Sequence, residues 1–324
     1  MTGVTMHTRS NPFAALLVAA CLTSFATEAA GQIKGTGGHP SGLKNPFYAF
    51  NNSMRGKQPS DPAAQAGLLA ELGYDGIEGY SLDELPRLAE EMHKRELKVA
   101  TIYFKVDLDA KDSPYDQRIV GYLRTFLKDR GVILTVHLHS KRFKPSDPEG
   151  DAVAVPILRE LADLAHANGA KVAVYNHVGV WAESIDDGIR LSKKVNRRNF
   201  GAAFNLCHWL SLEGEVDLGK RLDAIAPYLL SVTLCGADGG PGAKGASWDK
   251  LIQPLDQGSF DNFALLKEIV KRGYRGPIGL QCFNISLPAR DHLTRSIQAW
   301  SALKQRFTTR AGNSKESSQA ALPH

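Results

Sequence analysis

Four histidines follow or interrupt hydrophobic segments, where their imidazoles could do chemistry together. His137 and His139 lie within ILTVHLHS, His177 follows KVAV, and His208 lies in FNLCH. Imidazole binds and releases a proton near neutral pH, so one or two of them could act as general acid and base. Three of them could instead bind a softer metal such as zinc. Each could also have only a structural hydrogen bond, and the sequence leaves these three interpretations open.

Two charged residues could complete such a site. Glu78 is the second-last residue of the segment DGIEG. It could orient a histidine, bind a hydroxyl group or form a salt bridge to Lys105. Lys105 could hold an anionic group or a carbonyl oxygen, or it could be a solvated rim residue, the usual state of lysine. We take Glu78 as a candidate catalytic residue and Lys105 as a candidate substrate-binding residue.

Neutral polar residues accompany the same segments. Tyr175 and Asn176 directly follow KVAV, Asn205 lies in FGAAFNL, and Gln281 lies in PIGLQCF. A buried polar side chain without a partner costs about 1–3 kcal/mol. We therefore predict that these four side chains meet in a shared polar pocket, where they satisfy one another, water or a ligand.

Three tryptophans, Trp181, Trp209 and Trp248, also come after hydrophobic segments of the chain. Aromatic side chains offer a large apolar face with a polar edge, and such faces suit the C–H faces of sugar rings. Packing beneath loops is the alternative. Trp181 and Trp209 are accordingly candidate substrate-binding residues.

The hydrophobic segments alternate with amphipathic helical patterns such as PAAQAGLLAEL and VPILRELADLAHANG. Along most segments, apolar residues alternate with small or polar ones, so that each strand has one apolar face and one polar face. Eight such strands with intervening helices predict a single (β/α)8 TIM barrel over residues 46–307, with the active site at the carboxyl ends of the strands. An open doubly wound sheet is the alternative. The predicted strands are 47–51, 75–79, 98–104, 133–140, 171–177, 200–206, 229–235 and 277–283.

The two ends of the chain are predicted to lie outside this domain. Arg9, the apolar run FAALLVAACLTSFA and the small residues after it are typical of a secretory signal peptide over residues 1–31. Cys21, within VAAC, could instead be the acylated residue of a lipoprotein. Residues 32–45 predict a flexible leader and residues 308–324 a disordered tail.

Composition excludes several classes of protein. The 324 residues are 43% hydrophobic and 23% charged, as in globular proteins, and the net charge is only +5. Because no long run of lysine or arginine occurs, a nucleic acid is not an expected partner. The apolar run near the N-terminus is shorter than the roughly 20 residues of a spanning helix. Outside the predicted signal peptide, the three cysteines Cys207, Cys235 and Cys282 are too few for a disulfide framework, although one pair could form a disulfide. We expect small buried thiols.

Three longer stretches resemble a known family. GYDGIEGYSLDELPRLAEEMHKRELKVA is similar to its second strand, helix and third strand, and NGAKVAVYNHVG to its fifth strand. PLDQGSFDNFALLKEIVKRGYRGPIGLQCF is similar to its approach to the eighth strand. Over most of residues 46–307, the chain resembles the xylose isomerase-like TIM barrels, also called the sugar phosphate isomerase/epimerase family. The resemblance implies a barrel that acts on carbohydrates.

The same resemblance implies a metal site whose ligands are changed here. Members usually bind one divalent metal through two Glu, an Asp and a His after strands five to eight, and the two Glu commonly move the proton. The matching positions hold Tyr175, Asn205, Thr233 and Gln281, while a histidine three residues after the Asp position is kept as His208. Neutral amides and a phenol bind a hard cation weakly, and an amide is no general base. The cofactor therefore stays open.

We therefore expect an exported protein that is like a sugar isomerase or epimerase and acts on a small carbohydrate. A histidine would take the proton next to a carbonyl, while Asn205 and Gln281 would bind hydroxyl groups. Two alternatives stay open. One is a carbohydrate-binding barrel without catalysis, and the other is a lyase or hydrolase that uses histidine and Tyr175.

Overall fold

Eight parallel strands form a closed barrel in this computed structural model, which describes residues 42–319 and the side chains of residues 42–308. Each strand pairs with the next in the chain, and the eighth closes against the first. The prediction of a single (β/α)8 TIM barrel is confirmed. The strands are β1 (Phe47–Ala49), β2 (Gly76–Gly79), β3 (Lys98–Asp107), β4 (Ile133–His139), β5 (Lys171–Val174), β6 (Phe200–Asn205), β7 (Leu229–Leu234) and β8 (Ile278–Leu280).

Helices follow the strands around the barrel. Short 3₁₀ helices cover Asn51–Ser53, Pro148–Gly150, Ala226–Tyr228 and Pro241–Ala243. The α-helices of the described residues are α1 (Pro62–Leu72), α2 (Leu85–His93), α3 (Arg118–Arg124), α4 (Asp151–Ala167), α5 (Ile185–Val195), α6 (Leu206–Glu213), α7 (Leu218–Ile225), α8 (Trp248–Leu251), α9 (Asn262–Lys271) and α10 (Ala289–Gln319).

Local sequence explains where these helices begin and end, as α1 illustrates. The Asp61 side chain accepts a hydrogen bond from the backbone N–H of Ala63, and Pro62 occupies the first turn, where no N–H is needed. Gly73 ends the helix with φ of 84°, a left-handed conformation that glycine adopts at little cost. The chain can then turn directly into β2.

The two faces of the strands pack differently. Val136 and Leu138 of β4 belong to the large apolar core between the strands and the helices. Tyr48, Tyr175 and Ala203 belong to a separate, smaller cluster. The alternation along the strands thus divides the barrel into an apolar outer layer and an interior of phenols, amides and small residues.

Several predicted strands end earlier than expected. β5 ends at Val174 and β8 at Leu280, so Tyr175 and Gln281 lie in the loops that follow. β6 ends at Asn205, and α6 starts with the next residue. Polar side chains at the barrel end are therefore carried partly by loops and by a helix.

The ends of the chain differ in part from the prediction. Residues 1–31, predicted as a signal peptide, lie outside the described residues, as does most of the predicted leader. Leu43 and Asn45 at the end of that leader are buried, and the Asn45 amide donates a hydrogen bond to the Gly276 carbonyl. At the other end, α10 extends to Gln319 through much of the segment predicted to be disordered. Once a helix is formed, adding residues costs little.

Two further expectations concern the described residues. Cys207, Cys235 and Cys282 are free and buried there, as predicted for small core thiols. No helix within residues 42–319 combines the length and the apolar character needed to cross a membrane.

Candidate active site

Residues on or after seven of the eight strands line a cavity of ≈ 290 Å³, which we call the barrel-end cavity. It lies at the carboxyl ends of the strands, the usual position of active sites in this fold. It mixes one carboxyl, one guanidinium and two imidazoles with phenols, amides and apolar rings. The lining residues are Phe50, Asn51, Asn52, Arg55, Glu78, Tyr80, Tyr103, Tyr175, His177, His208, Trp248, Ile252, Gln281 and Phe283.

Two of the predicted histidines, His177 and His208, line this cavity as a pair with ring centroids 4.0 Å apart. The peptide groups of Val178 contact both rings. Nδ1 of His177 lies 2.8 Å from the Val178 carbonyl oxygen, which can only accept, so this Nδ1 must carry the proton. The Val178 N–H donates to Nδ1 of His208 over 3.2 Å, so that Nδ1 must be unprotonated. In their neutral forms, His177 has a free lone pair on Nε2, and His208 has a proton on Nε2.

Burial favours these neutral forms. It lowers the pKa of His177 and holds the pKa of His208 well below its ordinary value, to which the nearby His177 also contributes. The Trp248 and His208 rings contact each other in a T-shaped arrangement, with centroids 5.2 Å apart and an interplanar angle of 68°. One imidazole can therefore accept a proton at neutral pH while its neighbour donates a hydrogen bond.

Glu78 is the carboxyl of the cavity, and it is 1% exposed. Asn51 Nδ2 donates to its Oε1 over 2.6 Å, and Thr101 Oγ1 lies 3.4 Å from its Oε2. Burial raises the pKa of Glu78 to about 8, although these hydrogen bonds act in the opposite direction. At neutral pH, Glu78 is thus mostly a carboxylic acid and can donate a proton.

The salt bridge between Glu78 and Lys105, one alternative from the sequence, does not form. Lys105 is exposed and pairs instead with Asp107, whose carboxylate oxygen lies 3.1 Å from Nζ. Lys105 does not line the barrel-end cavity.

Tyr175 and Gln281 form the buried floor of the cavity. Gln281 Oε1 accepts hydrogen bonds from Asn52 and from the backbone N–H groups of Cys282 and Phe283. Its Nε2 is therefore left to donate to the Tyr175 hydroxyl over 3.3 Å. Burial holds the pKa of Tyr175 well above its ordinary value, so the phenol keeps its proton. These two residues shape the floor as neutral groups.

His137 and His139 form a second pair that does not line the cavity. Nδ1 of His137 and Nε2 of His139 are 2.7 Å apart, and the His137 ring stacks on Tyr103 with centroids 4.0 Å apart. Burial lowers the pKa of His137 to about 3. Tyr103 itself lines the cavity and contacts Tyr175 edge-on, with centroids 5.3 Å apart. The His137–His139 pair thus supports the cavity wall through Tyr103.

Four other predicted site residues are buried away from the cavity. Asn176 and Asn205 are at most 1% exposed, and Asn205 Oδ1 accepts from the Cys207 thiol over 3.3 Å. Trp181 Nε1 donates to the Asp147 carbonyl, and Trp209 packs against Phe260. Both indoles belong to the outer core, which matches the packing alternative. His208 lines the cavity but Trp209 does not, because both lie in the first turn of α6, where successive side chains project in different directions.

The aromatic rim is built from other residues. Trp248, which follows the seventh strand, lines the cavity, and so do Tyr80 and Phe283. Tyr80 is 47% exposed and Phe283 42% exposed, an unusual state for large apolar side chains. Each lies two residues beyond a cavity residue, Glu78 or Gln281, so the alternation along the strands is the signal that would have found them.

The described residues do not fit the metal that the resemblance implies. Within residues 42–319, no group of three or more His, Cys, Asp or Glu side chains could hold a metal ion. Asn205 and Thr233, at two of the family's ligand positions, are fully buried neutral groups. The four histidines form two separate pairs, so the zinc interpretation also lacks a third ligand. We therefore derive no step through a metal.

Comparison with known families agrees with this architecture. Residues 66–304 match the family model described as xylose isomerase-like TIM barrel. The chain belongs to this family. The predicted membership is thereby confirmed over most of the barrel.

Individual relatives are more distant. A 3-dehydroshikimate dehydratase from Pseudomonas aeruginosa is 28% identical over 159 residues, which cover 43% of this chain and 23% of that protein. The chain thus spans under a quarter of the length of this curated relative. A crystal structure of the IOLI protein with a binding zinc atom has a TM-score of 0.65 at 18% identity, covering 81% of this chain and 99% of that one. A D-allulose 3-epimerase from Methylomonas sp. has a TM-score of 0.59 at 16% identity, covering 81% and 99%. These two likenesses show the fold.

Proposed function

We propose that this xylose isomerase-like barrel is an enzyme that moves a proton next to the carbonyl of a small carbohydrate, as an isomerase or epimerase does. One observation carries the proposal. His177 and His208 adjoin each other in one cavity, and the Val178 peptide groups assign them opposite tautomers. A proton acceptor and a hydrogen-bond donor side by side are what enolisation of a carbonyl compound requires.

The mechanism needs only groups of this chain. Nε2 of His177 takes the proton from the carbon next to the carbonyl. The electron pair of that C–H bond forms a C=C bond, and the π pair of the carbonyl moves onto its oxygen. Nε2–H of His208 donates to that oxygen as its charge develops. His177 then returns the proton. Return to the same carbon re-forms the original carbonyl, whereas return to the former carbonyl carbon gives the isomer, in which the hydroxyl proton of the first carbon passes to the former carbonyl oxygen. Glu78, protonated below about pH 8, can supply a proton from another part of the cavity, as inversion of a carbon requires.

The rim favours a carbohydrate. Tyr80, Trp248 and Phe283 present aromatic rings at the cavity, and two of them are exposed to solvent. Their apolar faces can pack against the C–H face of a sugar, while Asn51 and Asn52 can bind its hydroxyl groups. The cavity is near the small end of the range for small-molecule sites, about 300–1,000 Å³, which suits one monosaccharide.

Solvent exchange tests this function directly. The protein is incubated in deuterium oxide with a panel of ketoses and keto sugars, and deuterium at the carbon next to the carbonyl is measured by NMR. We expect incorporation with at least one member of the panel. His177→Gln should slow it about 100-fold or more, because a general base typically contributes 10²–10⁴-fold.

A matched control separates chemistry from folding. His166 is an exposed histidine of α4 that does not line the cavity, and His166→Gln should exchange deuterium like the unmodified protein. Equal exchange by His177→Gln and the unmodified protein would refute the proposed base. If sugars raise the melting temperature but none exchanges, the protein is the carbohydrate-binding barrel of the alternative.

A dehydratase is the second candidate, favoured by the 28% identical 3-dehydroshikimate dehydratase. Loss of water begins with the same proton transfer, after which the hydroxyl group on the next carbon leaves. Protonated Glu78 could donate to that leaving group. The two candidates differ in product, since a dehydratase yields an unsaturated carbonyl compound that absorbs in the ultraviolet and an isomerase does not.

We also propose that the protein is exported. The signal-like pattern of residues 1–31 supports this proposal, with Cys21 as the site of lipid attachment in the alternative. The mass of the mature protein tests it. Loss of the N-terminal segment is expected, a diacylglycerol on Cys21 would favour the lipoprotein, and an intact N-terminus would contradict export.

A further inference from the structure

Arg55 is a cation at the barrel-end cavity. It follows the 3₁₀ turn after β1, it is exposed, and its side chain lines the cavity. The guanidinium carbon lies 5.1 Å from the centroid of the Tyr80 ring, so the cation is held against an aromatic face. Tyr80 stacks in turn on Tyr103, with centroids 6.2 Å apart. The side chain is thus supported without using its hydrogen-bond donors.

No carboxylate of the described residues forms a salt bridge with this arginine, although its charge acts on Glu78 and lowers the pKa of that carboxyl against the larger effect of burial. The salt bridges found within residues 42–308 do not include Arg55. Glu78 is the carboxyl of the lining set, and burial keeps it mostly protonated at neutral pH. His177 and His208 are neutral there for the same reason. The cavity wall therefore has a net charge near +1 while its floor is uncharged.

We propose that Arg55 binds the carboxylate of the substrate, so that the enzyme acts on an acidic sugar rather than on a neutral one. This inference rests on the proposed function and names the substrate class of that same site. Guanidinium presents paired N–H groups in a planar fork that matches the two oxygens of a carboxylate. One positive charge also balances one carboxylate.

A phosphate ester is the other anionic group that sugars carry, and it suits this cavity less. A phosphate monoester carries a charge of about −1.5 to −2 at pH 7, which a single guanidinium does not balance. No lysine lines the cavity beside Arg55. The volume of ≈ 290 Å³ accommodates one monosaccharide acid between the arginine and the two imidazoles.

Binding measurements test the inference without relying on turnover. Hexuronic and aldonic acids, the neutral hexoses and alditols of the same configuration, and hexose 6-phosphates are titrated into the mature protein by calorimetry. We expect at least one acid to bind 10-fold or more tightly than its neutral counterpart and than the matching phosphate. Arg55→Gln should abolish this preference, and Arg55→Lys should keep part of it, because lysine retains the charge without the fork.

A matched control is available in Arg142, which is also exposed and lies over an aromatic ring, 4.5 Å from the centroid of Phe143, but not at the cavity. Arg142→Gln should keep the full preference for the acid. The inference is overturned if no acid binds more tightly than its neutral counterpart, if the phosphate binds best, or if Arg55→Gln keeps the preference.

The two proposals fail in different ways. If acids bind through Arg55 but no deuterium exchange follows, the inference stands and the proposed enzyme falls. If neutral sugars exchange as fast as acids, and equally fast with Arg55→Gln, the enzyme stands and the acidic substrate falls.

Discussion

At the scale of single residues, one valine backbone assigns the roles in the cavity. The carbonyl of Val178 fixes a proton on Nδ1 of His177, and its N–H occupies Nδ1 of His208. Substitution of Val178 by another residue would leave both contacts in place, because they involve only its backbone N–H and carbonyl groups. The roles of the two imidazoles therefore depend on the path of this loop.

Glu78 gives a prediction for stability as a function of pH. Its pKa is raised from 4.5 to about 8 in the folded protein, so between these values the folded state binds a proton that the unfolded chain has released. Stability must then fall as pH rises through this window, by up to about 1.4 kcal/mol per pH unit. Glu78→Gln keeps the shape but cannot ionise, so we expect it to remove this fall.

The clearest window is pH 6.5 to 8. Below 6.5 the buried His137, whose pKa is lowered to about 3, makes stability rise with pH and opposes the effect of Glu78. Urea unfolding at several pH values measures the slope. Glu71→Gln, at an exposed carboxylate paired with Arg290, serves as the control and should leave the slope unchanged. An identical slope in Glu78→Gln and the unmodified protein would contradict a protonated Glu78.

At the scale of elements, the start of α5 anchors the loops beside the cavity. Asp187 is fully buried and accepts hydrogen bonds from the backbone N–H and the hydroxyl of Ser184, which precedes the helix. It also accepts from the Ser146 hydroxyl in the loop after β4, and it pairs with Arg190. One carboxylate thus joins the helix that follows His177 to the neighbouring loop.

Loss of this carboxylate should be costly. Asp187→Ala removes the acceptor of the Ser146 hydroxyl and of the Ser184 hydroxyl and N–H, while Arg190 keeps its pair with Asp151. Each buried donor left unsatisfied costs about 1–3 kcal/mol, so we expect a loss of more than about 2 kcal/mol. Asp163→Ala is the control, since Asp163 forms an exposed pair with Arg197, and such pairs contribute about 0–1 kcal/mol. Urea unfolding measures both. Similar losses in the two variants would show that Asp187 is not an anchor.

The elements also show what the sequence could reveal. Repeated alternation and glycine ends were enough to predict all eight strands, because both follow from local chain geometry. Which side chains at the strand ends face the cavity was harder to predict. Whether His208 or Trp209 reaches the cavity depends on α6 starting directly after Asn205, and no local pattern distinguishes that start from one more residue of strand.

At the scale of the whole molecule, barrel closure decides which predicted residues meet. Register shifts occur between Ile77 and Glu78 and between Ala202 and Ala203, and they change the height of the side chains that follow. Glu78, directly after one shift, lines the cavity, whereas Asn205, two residues after the other, is buried and does not line it. Arg55 was not predicted, because it lies beyond the strand pattern and reaches the cavity only through the turn after β1.

The central claim is that this cavity moves protons with its own imidazoles and carboxyl, without the metal usual in its family. Deuterium exchange into a substrate sugar, measured before and after exhaustive treatment with a strong chelator, tests it most directly. Exchange should continue at an unchanged rate, with the metal content verified as negligible. Loss of exchange on chelation, restored by adding a divalent metal, would contradict the account.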